Sequence, residues 1–323
     1  MRTLVTGGAG YIGSVVAQQL LHAGHEVIVL DDLSRGHPAA VPAGADHANV
    51  SLLDRDALQE PLTAVDAVLH FAALALVAES VERPERYWST NVLGTRNLLD
   101  AMRANEVRKL VFSSTCATYG EPRSVPISED EPTAPVNSYG ASKLAVDLMI
   151  RDECRAHGLA AASLRYFNVA GASGELGEDH VPETHLIPLV LQAASGAREH
   201  VSVFGTDYPT RDGTAVRDYI HVEDLGEAHL LALERLEPGT HRIFNLGSGD
   251  GYSVRDVIEA ARRVTGRAIP VRDEGRRAGD PPALVAANAR ARDELGWTPR
   301  RGLDEMIADA WAWLQDHPRG YRG

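Results

Sequence analysis

A doubly wound parallel α/β sheet with a smaller C-terminal α/β lobe is the fold predicted for this 323-residue chain. From Met1 to about Val169, apolar runs of strand length alternate with stretches of helical period. Such alternation calls for parallel strands joined by right-handed crossovers, with helices on both faces. The first run, Thr3-Leu4-Val5-Thr6, passes straight into Gly7-Gly8-Ala9-Gly10-Tyr11-Ile12-Gly13 and then an apolar-periodic segment from Val15, which reads as strand, tight turn, helix. Beyond Gly171 the alternation breaks into shorter pieces punctuated by Gly174, Gly177, Pro182, Pro188, Gly205, Pro209 and Gly213. The expected division is 1–170 for the doubly wound domain and 171–323 mainly for the lobe, with about 219–248 returning to the first.

The candidate strands are 3–6, 27–30, 48–53, 65–71, 108–113 and 161–166. Tyr219-Ile220-His221-Val222 and Phe244-Asn245-Leu246 are read as further strands that could rejoin the main sheet. His70, at the end of an apolar run, is read as a core histidine with satisfied ring nitrogens. Asn91 falls in a helical stripe with Val92, Leu98, Leu99 and Met102 and has two open readings: a hydrogen bond to loop backbone, or a place beside a bound ligand.

A net charge of −13, mixed along the chain, argues against nucleic acid as a partner. Two cysteines, Cys116 and Cys154, are too few for a disulfide framework and lack metal-ligand spacing. No run reaches the 18 or so apolar residues of a membrane span, and no leader pattern is visible, so a soluble cytoplasmic protein with no membrane partner is expected.

Glycines at 7, 10 and 13 suit a turn that lets backbone approach a pyrophosphate, with the following helix directing its free N–H groups at the phosphates. Val27-Ile28-Val29-Leu30 ends at Asp31, 24 residues after Gly7, close to the spacing of the acid that holds a cofactor ribose. Together they predict a Rossmann domain for NAD, since a carboxylate at Asp31 repels the 2′-phosphate of NADP.

The chemistry is expected where Val111-Phe112-Ser113-Ser114-Thr115 ends in hydroxyls and where Ser138-Tyr139-Gly140-Ala141-Ser142-Lys143 opens a helix. Tyr139 and Lys143 are four apart and share a helix face. A phenol is a poor base at neutral pH unless a nearby cation stabilises the phenolate, and Lys143 with a positive nicotinamide ring is expected to supply that. Thr115 would then hold a substrate oxygen while Tyr139 takes or returns its proton.

With these motifs, and with Arg165-Tyr166-Phe167-Asn168, Phe204-Gly205-Thr206-Asp207-Tyr208-Pro209-Thr210, Val216-Arg217-Asp218-Tyr219-Ile220-His221-Val222, Asn245-Leu246-Gly247 and Arg277-Ala278-Gly279-Asp280, the chain resembles the UDP-glucose 4-epimerases. These form the nucleotide-sugar epimerase branch of the extended short-chain dehydrogenase/reductase family. The resemblance spans nearly the whole chain. It implies a metal-free reaction on a UDP-hexose, with C4 oxidised to a 4-keto sugar and hydride returned to the opposite face.

The catalytic residues it implies are Thr115, Tyr139 and Lys143. Implied cofactor contacts are Gly7, Gly10, Tyr11, Ile12 and Gly13 at the turn, Asp31, Asp32 and Ser34 after the second strand, and Leu53, Phe71, Ala72 and Ala73 after the next two. Asn91, Ser113, Tyr139, Lys143 and Tyr166 complete that set. For the UDP-sugar the resemblance implies Thr115, Tyr139, Phe167, Asn168, His185, Leu186, Val203, Phe204, Arg217, Tyr219, Arg277, Asp280 and Leu284. A homodimer through segments 81–104 and 139–156 is also implied.

Four positions depart from the family pattern: Thr115 replaces the usual Ser, Ala75 a lysine on the pyrophosphate, His185 an Asn on the UDP-sugar, and Leu284 stands between the bulky and small residues that sort sugars. Ala75 predicts looser NAD binding. Cys116-Ala117 after Thr115 offers no carboxylate, which argues against a dehydratase. Epimerisation of another UDP-sugar (an N-acetylhexosamine, pentose or uronate) and a non-catalytic NAD-binding role stay open.

Overall fold

The computed structural model describes residues 1–277 and 279–322. Its centre is a seven-stranded parallel sheet. The strands in chain order are β1 (Arg2–Thr6), β2 (Glu26–Leu30), β3 (Asp46–Ala48), β4 (Ala67–His70), β5 (Lys109–Thr115), β6 (Ala160–Tyr166) and β7 (His241–Leu246). In space they run β7-β6-β5-β4-β1-β2-β3. Chain direction across the sheet reverses between β1 and β4, which opens a crevice at their carboxyl ends.

Alternation of side chains along each strand divides the sheet's residues between two cores. Val5, Val29, Leu69, Val111, Leu164 and Phe244 face the helices Tyr11–His22 and Val222–Glu234. Leu4, Ile28, Val68, Leu110 and Phe112 face the helices Gly94–Ala104 and Ser138–His157. Both sets are almost wholly buried, as continuous apolar strands in a doubly covered sheet must be.

Two expectations are corrected. The third strand is Asp46–Ala48, not 48–53. The apolar Leu52 is buried instead as a plug beside Gly94, where its Cβ stands 3.1 Å from the position a Gly94 Cβ would take. Tyr219–His221 does not rejoin the main sheet but pairs in parallel with Asn168–Ala170. Phe244-Asn245-Leu246 does rejoin it, within β7 beside β6.

A separate apolar core is formed by Ile187, Val190 and Leu191 of the helix Leu186–Ser195, Val257 and Ile258 of Val254–Thr265, and Met306 and Ile307 of Leu303–Asp316. Around it lie two small sheets, Val201–Phe204 with Val271–Glu274, and Val216–Arg217 between Tyr252–Ser253 and Ala283–Leu284. Among the described residues, no helix is long and apolar enough to cross a membrane.

Candidate active site

The glycine turn is shaped by close backbone contacts. Gly7 has φ +71°, and a Cβ there would stand 2.5 Å from the Ala72 amide nitrogen, across the gap between β1 and β4. A Cβ on Gly13 would stand 2.2 Å from the Gly7 carbonyl oxygen. The first N–H groups of a helix have no acceptor within it, and here they belong to Tyr11, Ile12 and Gly13 at the sheet crevice. These glycines hold open a cradle that side chains would fill, so the residues present fit a dinucleotide pyrophosphate.

Asp31 follows β2 directly, its carboxylate accepting from Ala9 N–H at 3.1 Å and from Leu33 N–H at 2.9 Å. Burial pushes its carboxyl above the usual range, and those two N–H groups oppose the rise. Asp32 accepts from Ser34 N–H at 3.0 Å. The Tyr11 hydroxyl donates to the Gly171 carbonyl at 2.7 Å, so its side chain clasps the chain beyond β6 and leaves its backbone N–H at the turn. Leu53 is exposed, while Phe71, Ala72 and Ala73 are half-buried after β4.

Asn91 bonds loop backbone. Its Oδ1 accepts from Leu74 N–H at 2.8 Å, and its Nδ2 donates to the Leu74 carbonyl and to Ser142 Oγ, both at 3.0 Å. Both Nδ2 hydrogens are thereby taken up, and Oδ1 keeps one lone pair for the other reading, a place beside the nicotinamide ribose. His70 is a core histidine, bonded through Nδ1 to Thr6 at 2.6 Å and through Nε2 to Thr95 at 2.8 Å, and burial followed by the Lys143 charge lowers it to about 3.

The helix Ser138–His157 begins at an Asn137 cap, whose Oδ1 accepts from Gly140 N–H at 2.9 Å. This start places Tyr139 in the first turn and Lys143 one turn later. Lys143 is buried, 4.8 Å above the Phe112 ring, and its Nζ donates to the Ser113 carbonyl at 2.7 Å. Burial lowers its ammonium to about 7, with the Asp147 carboxylate resisting the fall. Burial raises the Tyr139 phenol to about 12, and the nearby Thr115 hydroxyl opposes the rise.

Burial, not Lys143, sets the Tyr139 phenol here, and the expected role of Lys143 is one it shares with a positive nicotinamide ring. The Lys143 ammonium is aimed at the strand end rather than at the phenol. Ser113 Oγ bonds the Tyr166 hydroxyl, which joins two further expected residues at the same strand end.

Sequence reading missed the group behind this set. Asp147 Oδ2 accepts from Arg165 Nε at 3.1 Å and Nη2 at 2.8 Å, and from Ser114 Oγ at 3.2 Å, all in the interior. The signal available was Asp147 four residues after Lys143 on one helix face. Asp218, inside the Val216–Val222 motif, is fully buried and accepts from the backbone of Ser248, Gly249 and Ala286. It fastens the loop after β7 beside Arg217.

Several expected sugar-nucleotide residues do converge. Arg217 is paired with Asp280, and the Arg277 guanidinium lies 3.9 Å over the Phe204 ring. Ala278, between these elements of the motif, lies outside the described residues. Leu284 pairs beside Arg217 and packs with Cys116 against Tyr119, Ile127 and Phe167. Tyr219 and Asn168 meet in register across their two-stranded sheet.

Val203 is buried in the core below Phe204, so only its backbone is available to a ligand. His185 differs most: its Nδ1 lies 2.7 Å from Glu178 Oε1 and 3.1 Å from Glu183 Oε1, just before Leu186 starts its helix. Burial opposes a charged imidazole here, but the two carboxylates raise His185 well above its ordinary value.

The profile of the NAD dependent epimerase/dehydratase family matches residues 3–247. The chain is 57% identical over 321 residues to a UDP-glucose 4-epimerase of Streptomyces lividans, covering 98% of this chain and 97% of that one. Among solved structures it is similar to a UDP-glucose 4-epimerase from Stenotrophomonas maltophila with bound NAD and formylated UDP-arabinopyranose, with a TM-score of 0.95, 39% identity and 99% of each chain covered. It is also similar to the Bifidobacterium longum UDP-glucose 4-epimerase in complex with NAD+ and UDP, with a TM-score of 0.94 and 36% identity, covering 99% of this chain and 100% of that one.

Proposed function

Because the chain belongs to the NAD dependent epimerase/dehydratase family, we propose that it is an isomerase interconverting UDP-glucose and UDP-galactose at C4, with NAD as cofactor. The observation that carries the reading is the gathering at the carboxyl end of β5 of Thr115, the neighbouring Tyr139 and the Lys143 ammonium on the Ser113 carbonyl, in the same sheet as the glycine turn after β1. Bound NAD supplies the hydride chemistry. Gly7, Gly10 and Gly13 admit its pyrophosphate with the N–H groups of Tyr11 and Ile12, and Asp31 accepts from its adenosine ribose. Phe71, Ala72, Ala73, Ser113 and Tyr166 line the adjoining strand ends.

Thr115 holds the sugar 4-oxygen and Tyr139 moves its proton. A phenol near 12 needs positive charge close by to act as a base at neutral pH, so Tyr139 is a weak base until the site is filled. Arg217 and Arg277 bind the diphosphate, Asp280 the uridine ribose, and Phe204 and Asn168 the uracil side. Arginine suits this because its planar fork bonds two phosphate oxygens at once. Leu284, beside Phe167 and Cys116, bounds the space left for the sugar.

The active species is a homodimer in the cytoplasm. Exposed Val81, Trp88, Leu93 and Leu148, on the two helical segments expected to pair, support the dimer. Proton NMR of purified protein with UDP-galactose and NAD tests the activity. Growth of the UDP-glucose anomeric signal is expected; folded, NAD-bound protein that leaves UDP-galactose unchanged would overturn the reading.

A further inference from the structure

Glu178, His180, Glu183 and His185 fall within eight residues between Leu176 and the helix Leu186–Ser195. One donor atom from each lies within 4.8 Å of all the others. Glu178 Oε1 stands 3.1 Å from His180 Nδ1 and 2.7 Å from His185 Nδ1. Glu183 Oε1 is 3.1 Å from His185 Nδ1, and its Oε2 is 3.8 Å from His180 Nδ1. We propose that these four side chains form a binding site for one divalent transition-metal ion of the zinc class.

The distances approach a coordination shell. Zinc holds nitrogen and oxygen ligands at about 2.0–2.1 Å in a tetrahedron, which sets neighbouring donors roughly 3.3–3.4 Å apart. The acid–imidazole separations of 2.7–3.8 Å straddle that edge length, and with all four donors within 4.8 Å of one another a small inward movement would close the shell on an ion. Imidazole and carboxylate donors suit zinc, cobalt or nickel, whereas magnesium and calcium take oxygen alone.

Charge points the same way. Among the described residues, no lysine or arginine is paired with either carboxylate. The two acids are balanced only by the two imidazoles. An ion in their midst would neutralise both carboxylates and leave the imidazoles uncharged, as metal binding requires.

The surrounding chain holds the cluster in place. Asp179, inside the run, accepts at its carbonyl from His37 Nε2 at 3.0 Å and at its carboxylate from Tyr321 N–H at 3.0 Å. Glu178, His180 and Glu183 also line a cavity of about 1010 Å³ that gives an ion access. The ion would brace the loop that enters the helix Leu186–Ser195, with no part in the chemistry at Tyr139. His185 is shared with the set implied for the UDP-sugar, whereas Glu178, His180 and Glu183 lie outside that set.

The test uses the full chain, stripped with EDTA and then titrated with cobalt(II) or zinc(II). One cobalt per chain is expected, with the intense visible bands of tetrahedral coordination, along with one zinc by calorimetry and a raised melting temperature. His180→Gln and Glu183→Gln should each weaken zinc binding more than the roughly 10–100-fold that loss of an outer-shell partner costs. Absence of tetrahedral cobalt bands in folded parent protein would overturn the proposal. So would unchanged zinc binding in a variant that keeps its circular dichroism, because the metal would then sit on other histidines. If one variant fails to fold, the other and the parent's cobalt spectrum decide.

Discussion

Lys143 Nζ donates to the Ser113 carbonyl at 2.7 Å, so a buried ammonium is fastened to the strand end where the reacting hydroxyls lie. The bond orients the side chain, and burial makes its charge costly. Lys143 is held near neutrality, at about 7 against an ordinary 10.5.

This gives a stability prediction for Lys143→Met. Below about pH 7 the lysine is charged in both the folded and unfolded chains, and the folded state carries the full desolvation cost. Between 7 and 10.5 the unfolded chain binds more protons than the folded one, so this lysine's penalty fades as pH rises. The advantage of Lys143→Met over the parent, read from urea midpoints of NAD-free protein, should be largest below pH 7 and narrow toward pH 10. A gap that widens with pH would refute the assignment.

Tyr139→Phe removes the proton-moving oxygen and leaves the ring in its edge contact with Tyr87, 6.4 Å between centroids. Turnover of UDP-galactose should fall by about 10²–10⁴, the usual worth of general acid–base catalysis. UDP affinity by calorimetry should stay close to the parent's. Retained turnover would remove Tyr139 from its role.

Asp147→Asn breaks a buried pair whose side chains are 3% and 4% exposed. It leaves Arg165 uncompensated in the interior, which typically costs about 3–5 kcal/mol. A large drop in urea midpoint is expected; a change within about 0.5 kcal/mol, typical of surface substitutions, would contradict it.

Gly13→Ala places a methyl 2.2 Å from the Gly7 carbonyl oxygen. The turn must open, at about 1–3 kcal/mol. NAD binding, followed by calorimetry, should weaken on the order of tenfold or more if the opened cradle loses that energy.

Arg277→Ala removes the guanidinium stacked 3.9 Å over Phe204. Loss of a charged contact to the diphosphate should cost about 1.5–3 kcal/mol of UDP affinity, roughly 10- to 150-fold in Kd. Arg277→Lys should recover part of this charge but not the planar stack.

Much of the architecture was legible because it rests on local pattern. Gly7, Gly10 and Gly13, the apolar run ending at Asp31, and the pair Tyr139 and Lys143 four residues apart each signal an element or helix face within a few residues of themselves. The third strand was misplaced for a reason equally local to see and hard to interpret. Leu52 and Leu53 are as apolar as a strand, and only the close approach of the bare Gly94 backbone makes room to bury Leu52.

The sequence by itself determined the alternating strands and helices, the glycine turn, Asp31, and the helix that carries Tyr139 and Lys143. Hydrophobic period and glycine placement are written in neighbouring residues. Only the tertiary structure decided that Lys143 faces Ser113, that Asp147 meets Arg165 eighteen residues on, and that Asn91 is taken up by Leu74 and Ser142. It also gathered Glu178, His180, Glu183 and His185 around one point. Charge energetics and side-chain direction depend on burial and on partners brought from distant segments, and neither is contained in any local stretch of chain.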